Sequence, residues 1–221
     1  MLPRVLEPEV MDSPEEARDY DAMDHGTVNR LFVADFLSFW KNDAGSILDV
    51  GTGTAQIPIE LCRQSRSVSV VAIDLAEHML AVGRDNVRRA GFEGRIQLHC
   101  CDAKRIPLAP GSFAAVMSNS IVHHIPEPGQ VIGDIVRMVR PGGVLFVRDL
   151  LRPADDATVT RLVRTYAGEA NAHQRQMFEA SLRAALTLAE IRALVSAAGF
   201  APDSVQQTSD RHWTWAARKA T

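Results

Sequence analysis

A short apolar run that passes through two glycines into a helical pattern is the feature that most constrains this chain. Residues 47–61 predict a strand, a turn at Gly51 and Gly53, and then a helix. Glycines in such a turn let the backbone approach a ligand closely, and the following helix offers free N–H groups. A tight turn also needs glycine for purely steric reasons, so this turn alone is a weak sign of a ligand site.

Strand-like and helix-like patterns alternate through most of the chain. The predicted strands are residues 46–50, 68–73, 95–101, 113–118, 144–150, 204–208 and 212–218. The predicted helices among the first five strands are about 55–63, 77–90 and 129–139. This alternation favours right-handed βαβ units and a parallel sheet with helices on both faces. The short turn between the last two runs predicts an antiparallel hairpin. The expected fold class is α/β, a Rossmann-like doubly wound seven-stranded sheet that is mostly parallel, with an antiparallel C-terminal β-hairpin strand.

Two helices are expected before the first strand. Ser13, Pro14 and Glu16 form a capping box with proline at the first helical position, which predicts a helix to about Met23. Apolar residues at helical spacing predict a second helix over about 27–40. We expect residues 1–221 to form one domain. Its expected parts are an N-terminal helical cap (1–42), a strand–helix core (43–150), and a helical region with the C-terminal hairpin (151–221).

The composition argues against several classes of protein. The formal net charge of -3 gives no electrostatic reason to expect a nucleic acid or an anionic membrane as partner. An apolar fraction of 46% argues against disorder, and no window is apolar for the roughly 18 residues of a membrane span. Cys62, Cys100 and Cys101 fit neither a disulfide framework nor a structural zinc site. The N-terminus is too polar for a signal peptide, so a cytoplasmic protein is expected.

Two acids at predicted strand ends indicate an adenosine cofactor. Asp74 ends the second strand about 20 residues beyond the last glycine, where a carboxylate can accept hydrogen bonds from both ribose hydroxyls. Asp102 ends the third strand, where it can accept the adenine amine while the Ala103 N–H meets the ring nitrogen. The dinucleotide fingerprint requires a third glycine where this chain has Gln56, so no clear pyrophosphate site is predicted.

The pattern D-x-G-x-G-x-G falls on Asp49, Gly51, Gly53 and Ala55, with alanine in place of the last glycine. With the acids described above and Arg140-Pro-Gly-Gly before the fifth strand, this chain resembles the class I S-adenosylmethionine-dependent methyltransferases. It is most similar to the small-molecule branch that includes the ubiquinone and menaquinone biosynthesis enzymes. The resemblance is close over about residues 11–150 and loose beyond them.

The resemblance implies a cofactor site for S-adenosyl-L-methionine, with S-adenosyl-L-homocysteine as the product. Its expected cofactor-binding residues are Tyr20, Asp49, Gly51, Thr52, Gly53, Asp74, Leu75, Met79, Asp102, Ala103 and Asn119. The glycine turn would line the amino-acid tail, with Asp49 near its ammonium group. Asp74 would bind the ribose hydroxyls, and Asp102 with Ala103 would read the adenine edge. Leu75 and Met79 would pack on the adenine faces, and Tyr20 would close the methionine end.

Two adjacent histidines leave the fourth strand, where the resemblance places the reacting methyl group. One interpretation is that His123 and His124 cap the next helix or satisfy buried backbone groups. The other is that one of them takes the acceptor's proton as a general base, with His124 preferred because it lies further beyond the strand end. No metal site is expected, because neighbouring side chains on a strand point to opposite faces.

The favoured function is methyl transfer from S-adenosylmethionine to a small-molecule nucleophile, with residues 151–221 contributing the acceptor pocket. One alternative is an NAD(P)-dependent dehydrogenase. Another is a catalytically silent protein that binds S-adenosylmethionine and acts as a regulator. The sequence names neither the acceptor nor the methylated atom, and it does not decide whether the chain forms a homodimer.

Overall fold

The computed structural model describes residues 2–8, 12–23, 25–42 and 44–221. Its strands are β1 (Ala44–Val50), β2 (Ser67–Asp74), β3 (Ile96–Cys100), β4 (Phe113–Asn119), β5 (Val139–Leu150), β6 (Val205–Gln207) and β7 (His212–Arg218). Its helices are α1 (Pro14–Ala22), α2 (Gly26–Trp40), α3 (Gln56–Gln64), α4 (Glu77–Ala90), α5 (Pro128–Met138), α6 (Asp156–Ala167), α7 (Ala172–Ala184) and α8 (Leu188–Ala197). Two short 3₁₀ turns cover Val122–His124 and Pro202–Ser204.

The strands form one seven-stranded sheet in the order β3-β2-β1-β4-β5-β7-β6. The first five strands pair in parallel, and β7 runs antiparallel between β5 and β6. The predicted sheet and its C-terminal hairpin are therefore confirmed. The strand order reverses at β1, which pairs with β2 on one side and β4 on the other. In open α/β sheets, ligands bind at the carboxyl ends of the strands beside such a reversal.

Both faces of the central strands are buried, as expected for a parallel sheet covered by helices. Ile47 packs into a cluster with Phe36 and Trp40 of α2, while the next residue, Leu48, packs into a cluster with Ile132 of α5. Successive side chains of a strand point to opposite faces, so one strand serves both clusters. This packing holds the carboxyl ends of β1, β2 and β4 together at one edge of the sheet.

The N-terminal helix lies over that edge. Its predicted capping box is present: Ser13 Oγ accepts from the Glu16 N–H at 3.2 Å, and the Glu16 carboxylate accepts from the Ser13 N–H at 3.1 Å. Ala17 and Tyr20 then pack against Met79 of α4, which places α1 beside the glycine turn. None of the helices in the described ranges combines the length and apolar character that crossing a bilayer requires.

The fifth strand starts earlier than the sequence predicts. β5 begins at Val139, and its register against β4 shifts between Phe113 and Ala115. The segment from Arg140 to Gly143, which the sequence analysis places before the strand, therefore lies inside it. Gly143 makes this close approach possible. A Cβ atom there would lie 2.8 Å from the carbonyl oxygen of Ala114 and 2.9 Å from that of Arg140.

Replacing Gly143 with alanine should therefore destabilise the fold. We expect Gly143→Ala to lower the free energy of unfolding by about 1–3 kcal/mol. The Val139 side chain also lies 2.7 Å from the new Cβ position, but the two carbonyl oxygens belong to the backbone and cannot rotate away. Urea unfolding followed by circular dichroism measures the change. Gly133→Ala in α5 is the matched control, since a Cβ atom there meets nothing within 4 Å. That variant should be neutral or slightly more stable, and equal losses in the two variants would contradict the steric account.

Candidate active site

The glycine turn after β1 has the left-handed backbone that the sequence pattern suggests. Gly51 and Gly53 have φ values of +77° and +53°, and the N–H groups of Gly51 and Thr52 both donate to the Ile73 carbonyl at 2.9 Å. A Cβ atom on Gly51 would lie 2.7 Å from the Ile121 side chain. The steric reason for glycine is thus real here, because Ile121 fills the space above the turn.

The alanine that replaces the last glycine of the pattern also adopts a left-handed conformation. Ala55 has φ +62° at the N-cap of α3, and its side chain is fully buried. A left-handed conformation costs a residue with a Cβ atom about 1–2 kcal/mol, which is the reason glycine is usual at such a position. The surrounding packing holds Ala55 in place, so the turn keeps its shape without the third glycine.

Asp74 ties the glycine turn to the end of β2. Its carboxylate accepts from the Gly53 N–H at 2.7 Å and from the Ala76 N–H at 2.9 Å. Burial nevertheless raises the pKa of Asp74 above its usual range. The backbone N–H of Leu75 also contributes a hydrogen bond to this carboxylate. An ionised carboxylate has about four lone-pair positions, so capacity remains for a ribose hydroxyl.

Asp49 is buried with an acceptor atom that the described residues leave unsatisfied. Its side chain lies near the end of β1 with 2% exposed, and Oδ2 has no hydrogen-bond partner among the residues that the structure describes. Burial, followed by the charge of Asp74, raises the pKa of Asp49 to about 7.

Tyr20 closes over the turn, 3.6 Å from the position of a Cβ atom on Gly53. Burial together with the nearby carboxylates raises the pKa of Tyr20 to about 12. The pocket is therefore strongly electronegative.

The residues expected around adenine lie at the carboxyl edge of the sheet, but they differ in exposure and in the groups they contact. Leu75 is 40% exposed, whereas Met79 is buried under α1 against Ala17. Asp102 accepts from the Lys104 N–H at 2.8 Å, and the Lys104 ammonium lies 3.4 Å from the same oxygen. Ala103 is buried directly after Asp102. Asn119 is half-buried as the last residue of β4. Leu75 thus presents an open apolar surface, while Met79 supports the cap helix.

The two histidines lie on a 3₁₀ turn, not on an extension of the strand. Ser120 turns the chain with φ +61°, and Val122–His124 then forms the 3₁₀ turn, which brings the rings of His123 and His124 to a centroid separation of 4.2 Å. The expectation that these side chains point to opposite faces was therefore wrong. The geometric argument against a shared metal ion no longer applies to them.

A buried aspartate that the sequence analysis missed holds this turn. Asp149 Oδ1 lies 2.5 Å from His123 Nδ1, and Oδ2 accepts from the N–H groups of Val122 at 2.6 Å and His123 at 3.2 Å. The buried backbone groups of the turn are thus satisfied by Asp149 and not by the histidines. A signal for this residue did exist: it lies near the carboxyl end of a parallel strand, where sites of this fold collect.

The pKa values of His123 and His124 are shifted in opposite directions. Burial alone would lower the pKa of His123, but Asp149 outweighs it and the pKa is raised. Burial and the neighbouring His123 lower the pKa of His124 to about 3. A group with so low a pKa is a weak base near neutral pH. As a candidate general base, His123 is therefore favoured over His124, the residue that the sequence analysis preferred.

Glu7 is the second residue that the sequence analysis missed. Its Oε1 atom lies 3.4 Å from His123 Nε2 and 3.2 Å from His124 Nδ1. Arg4 fixes the segment that carries it, because its guanidinium donates to the carbonyl oxygens of Ala184, Pro126, His123 and Ile125. The N-terminal segment has no periodicity or motif, so nothing in the sequence connects residue 7 with residue 123.

Asp149 should be essential for the stability of this turn. Asp149→Asn removes a charge and one acceptor atom from a buried, hydrogen-bonded pair, and we expect the free energy of unfolding to fall by about 3 kcal/mol or more. Urea unfolding at pH 7 checks this. Asp85→Asn is the control, since Asp85 forms an exposed pair with Arg88 on α4 and should contribute little. Similar values for the two variants would show that the buried pair is not stabilising the turn.

Comparison with known proteins is consistent with this geometry. Residues 48–147 match a family model described as a methyltransferase domain. The Ubiquinone/menaquinone biosynthesis C-methyltransferase UbiE of Geobacter sulfurreducens is 30% identical over 113 residues, which are 51% of this chain and 44% of that protein. The 27-O-demethylrifamycin SV methyltransferase of Amycolatopsis mediterranei is 29% identical over 177 residues, which are 78% of this chain and 61% of that protein. The chain therefore spans less than two thirds of either relative.

Solved structures show the same fold. A SAM dependent methyltransferase from Aquifex aeolicus superimposes with a TM-score of 0.69 at 16% identity, covering 93% of this chain and 98% of that chain. The seven-stranded sheet and its strand order form a Rossmann-like fold, which this chain shares with that structure. With the match of residues 48–147 to a methyltransferase domain, the chain is similar to the class I S-adenosylmethionine-dependent methyltransferases. The resemblance stated from the sequence is thereby confirmed.

Proposed function

We propose that this chain transfers a methyl group from S-adenosylmethionine to a small-molecule acceptor. The observation that carries the proposal is the pair of acids on the two sides of the glycine turn, the buried Asp49 and the half-buried Asp74. A buried carboxylate atom without a partner is costly, and a cation is the ligand that offsets this cost. S-adenosylmethionine carries two positive groups, an ammonium and a sulfonium. The unpartnered Oδ2 of Asp49 therefore fits this cofactor.

The same acids argue against a dinucleotide at this turn. A pyrophosphate is an anion that requires free backbone N–H groups, and Asp74 already accepts from the Gly53 N–H. At the start of α3, Gln56 donates to the Asp21 carboxylate and accepts from the Asn29 amide. Two acids beside the turn would repel a pyrophosphate. The dehydrogenase alternative is therefore disfavoured on electrostatic grounds.

Each residue of the site then has a definable task. When bound, S-adenosylmethionine supplies an electrophilic methyl carbon on its sulfonium, so the protein mainly positions the reactants and excludes water. Asp49 would bind the ammonium group, and Asp74 the ribose hydroxyls.

Other residues would form the walls of the pocket. Leu75 would cover adenine, and Tyr20 would close the methionine end over Gly51, Thr52 and Gly53. Asp102 would accept the adenine amine once its contact with Lys104 is shared, and Ala103 and Asn119 would complete the wall.

The proposal also includes the domain organisation, the class of acceptor and the cellular location. Residues 1–221 would act as one methyltransferase domain, with α1 and α2 as its cap and residues 151–221 around the acceptor. A small acceptor, and not a nucleic acid, suits a net charge of -3. A cytoplasmic location is supported by the free thiols of Cys62, Cys100 and Cys101. The general-base role of His123 or His124 stays a prediction.

Calorimetric titration with S-adenosylhomocysteine and with NAD tests the cofactor. We expect binding of the former alone, and Asp74→Ala should weaken it by about 10- to 150-fold, because charge-assisted hydrogen bonds contribute about 1.5–3 kcal/mol. Asp203→Ala, an exposed position in the second 3₁₀ turn, is the control. Unchanged affinity in a folded Asp74→Ala variant would contradict the ribose assignment.

A second experiment separates an enzyme from a silent regulator. The protein is incubated with S-adenosylmethionine and a panel of acceptors, and formation of S-adenosylhomocysteine is measured. An enzyme forms this product when an acceptor is present, whereas a silent regulator does not.

The raised pKa of Asp49 predicts that cofactor affinity depends on pH. Only the ionised carboxylate binds an ammonium group, and its pKa is about 7 in the ligand-free protein. We therefore expect S-adenosylhomocysteine to bind about tenfold more tightly at pH 8 than at pH 6, as the competent fraction rises. Asp49→Asn should bind weakly and lose this dependence. A wild-type affinity that does not change between these pH values would contradict the role of Asp49.

The same pKa predicts the opposite pH dependence for the stability of the ligand-free protein, which should fall as the pH rises. The pKa of Asp49 in the folded, ligand-free protein lies above its ordinary value of 3.8, so folding favours the protonated form. This contribution is therefore fully present below pH 4 and is lost as the pH rises through 7. Asp49→Asn should remove this loss, so the variant should gain stability relative to the wild type at pH 8, as measured by urea unfolding.

A further inference from the structure

Three side chains outside the cofactor pocket direct ligand atoms toward one point. They are Glu7, His123 and His124, called here the Glu7 cluster. One ligand atom from each of them lies within 4.8 Å of the ligand atoms of the other two. Two imidazoles and one carboxylate are a common ligand set for zinc and related divalent ions.

Hydrogen bonds do not account for this convergence. Within the part of the chain that the structure describes, Glu7 Oε1 and His124 Nδ1 are both buried without a hydrogen-bond partner. The contacts are nevertheless short, at 3.2 Å between these two atoms and 3.4 Å from Glu7 Oε1 to His123 Nε2. Polar atoms that approach closely, remain buried and make no hydrogen bond call for an explanation, and a bound ion is one.

The spacing fits a tetrahedral ion. Bonds of about 2.0–2.1 Å at tetrahedral angles separate two ligand atoms by about 3.3–3.4 Å, and the two contacts of Glu7 Oε1 measure 3.4 Å and 3.2 Å. The ligand atoms of the two histidines lie within 4.8 Å of each other, so the two rings would move closer together to complete the site. The side chains of Glu7 and His124 are 10% and 15% exposed, which leaves an ion a route from solvent.

The surroundings hold these ligands in the required orientation. Asp149 faces Nδ1 of His123, which leaves Nε2 free to bind an ion, as in the carboxylate–histidine pairs of metal sites. Ser181 donates to Glu7 Oε2 at 3.2 Å, which leaves Oε1 for the ion. The backbone N–H of Val5 donates to the Arg183 carbonyl and helps to fix the segment that carries Glu7.

Charge is also compatible with a cation. Glu7 and Asp149 are two carboxylates within one buried group, and they match the charge of a divalent ion. The neighbouring Arg4 is occupied by carbonyl oxygens, among them those of Ala184 and Ile125. Arg4 therefore acts as an anchor of the N-terminal segment.

We propose that Glu7, His123 and His124 bind one zinc-class divalent ion, with Asp149 orienting His123 and a fourth position open. Three protein ligands and an open position are the arrangement of reactive zinc sites, in which water or a hydroxyl group occupies the fourth position. The binding site does not depend on the proposed methyl transfer. An action of the ion on the acceptor would rest on that function, because the cluster directly follows β4.

Direct metal binding by the whole chain tests the proposal. Protein freed of metal with a chelator is titrated with Zn²⁺ by calorimetry, and bound metal is counted by elemental analysis after dialysis. We expect one Zn²⁺ per chain. Co²⁺ in its place should give the intense visible absorption of a tetrahedral ion, because coordination geometry determines that spectrum.

Variants locate the ion. His124→Asn and Glu7→Gln should each weaken Zn²⁺ binding by more than about 100-fold, since a change to an orienting residue alone costs about 10–100-fold. His99→Asn on β3 and Cys100→Ser are the controls and should bind as the wild type does. Circular dichroism shows whether each variant is folded, and the Co²⁺ spectrum of the wild type provides a test that needs no variant.

Two results would overturn the proposal. One is wild-type protein that binds no stoichiometric Zn²⁺ and gives no tetrahedral Co²⁺ spectrum. The other is folded His124→Asn and Glu7→Gln variants that both retain wild-type affinity, which would place the ion elsewhere. The titration with S-adenosylhomocysteine is separate, so failure of the metal site and failure of the methyltransferase function are distinguishable.

Discussion

Burial of carboxylates at the carboxyl ends of parallel strands is the constraint on which this structure depends. Asp49 in β1, Asp74 in β2 and Asp149 in β5 all lie at one edge, where the sheet excludes water from them. Asp74 is satisfied by two backbone N–H groups, and Asp149 by backbone N–H groups and His123. Asp49 keeps an unpartnered atom in the described part of the protein, and that difference identifies where a cationic ligand is needed.

One hydrophobic contact joins the cofactor pocket to the Glu7 cluster. Ile121 fills the space above Gly51, and the turn that carries His123 and His124 begins immediately after it. Ser120 supports the connection, because its N–H donates to the Arg148 carbonyl on the neighbouring strand. A movement of the histidine turn must therefore displace a side chain that packs on the glycine turn. The glycine turn and the turn that carries His123 and His124 are thus held together by the same packing contact of Ile121.

The sequence predicted those parts of the fold that depend on local pattern. The alternating runs located the seven strands, and Ser13 with Glu16 located the start of α1, because neighbouring residues determine both features. The geometry of His123 was not predictable in the same way, since a left-handed Ser120 redirects the chain after β4. Glu7 gave no signal, because its contacts join distant parts of the chain and leave no periodic pattern.

The boundary of the family match separates what is shared from what this chain adds. Residues 48–147 contain the acids of the cofactor pocket and the two histidines. Glu7, Tyr20, Asp149 and Ser181 lie outside this range. Glu7 and Asp149 contact the histidines, Tyr20 covers the glycine turn, and Ser181 donates to Glu7. The matched segment thus contains most of the groups that we propose to bind the cofactor. The Glu7 cluster, by contrast, is completed by a residue outside this segment, so the family match alone does not predict the cluster.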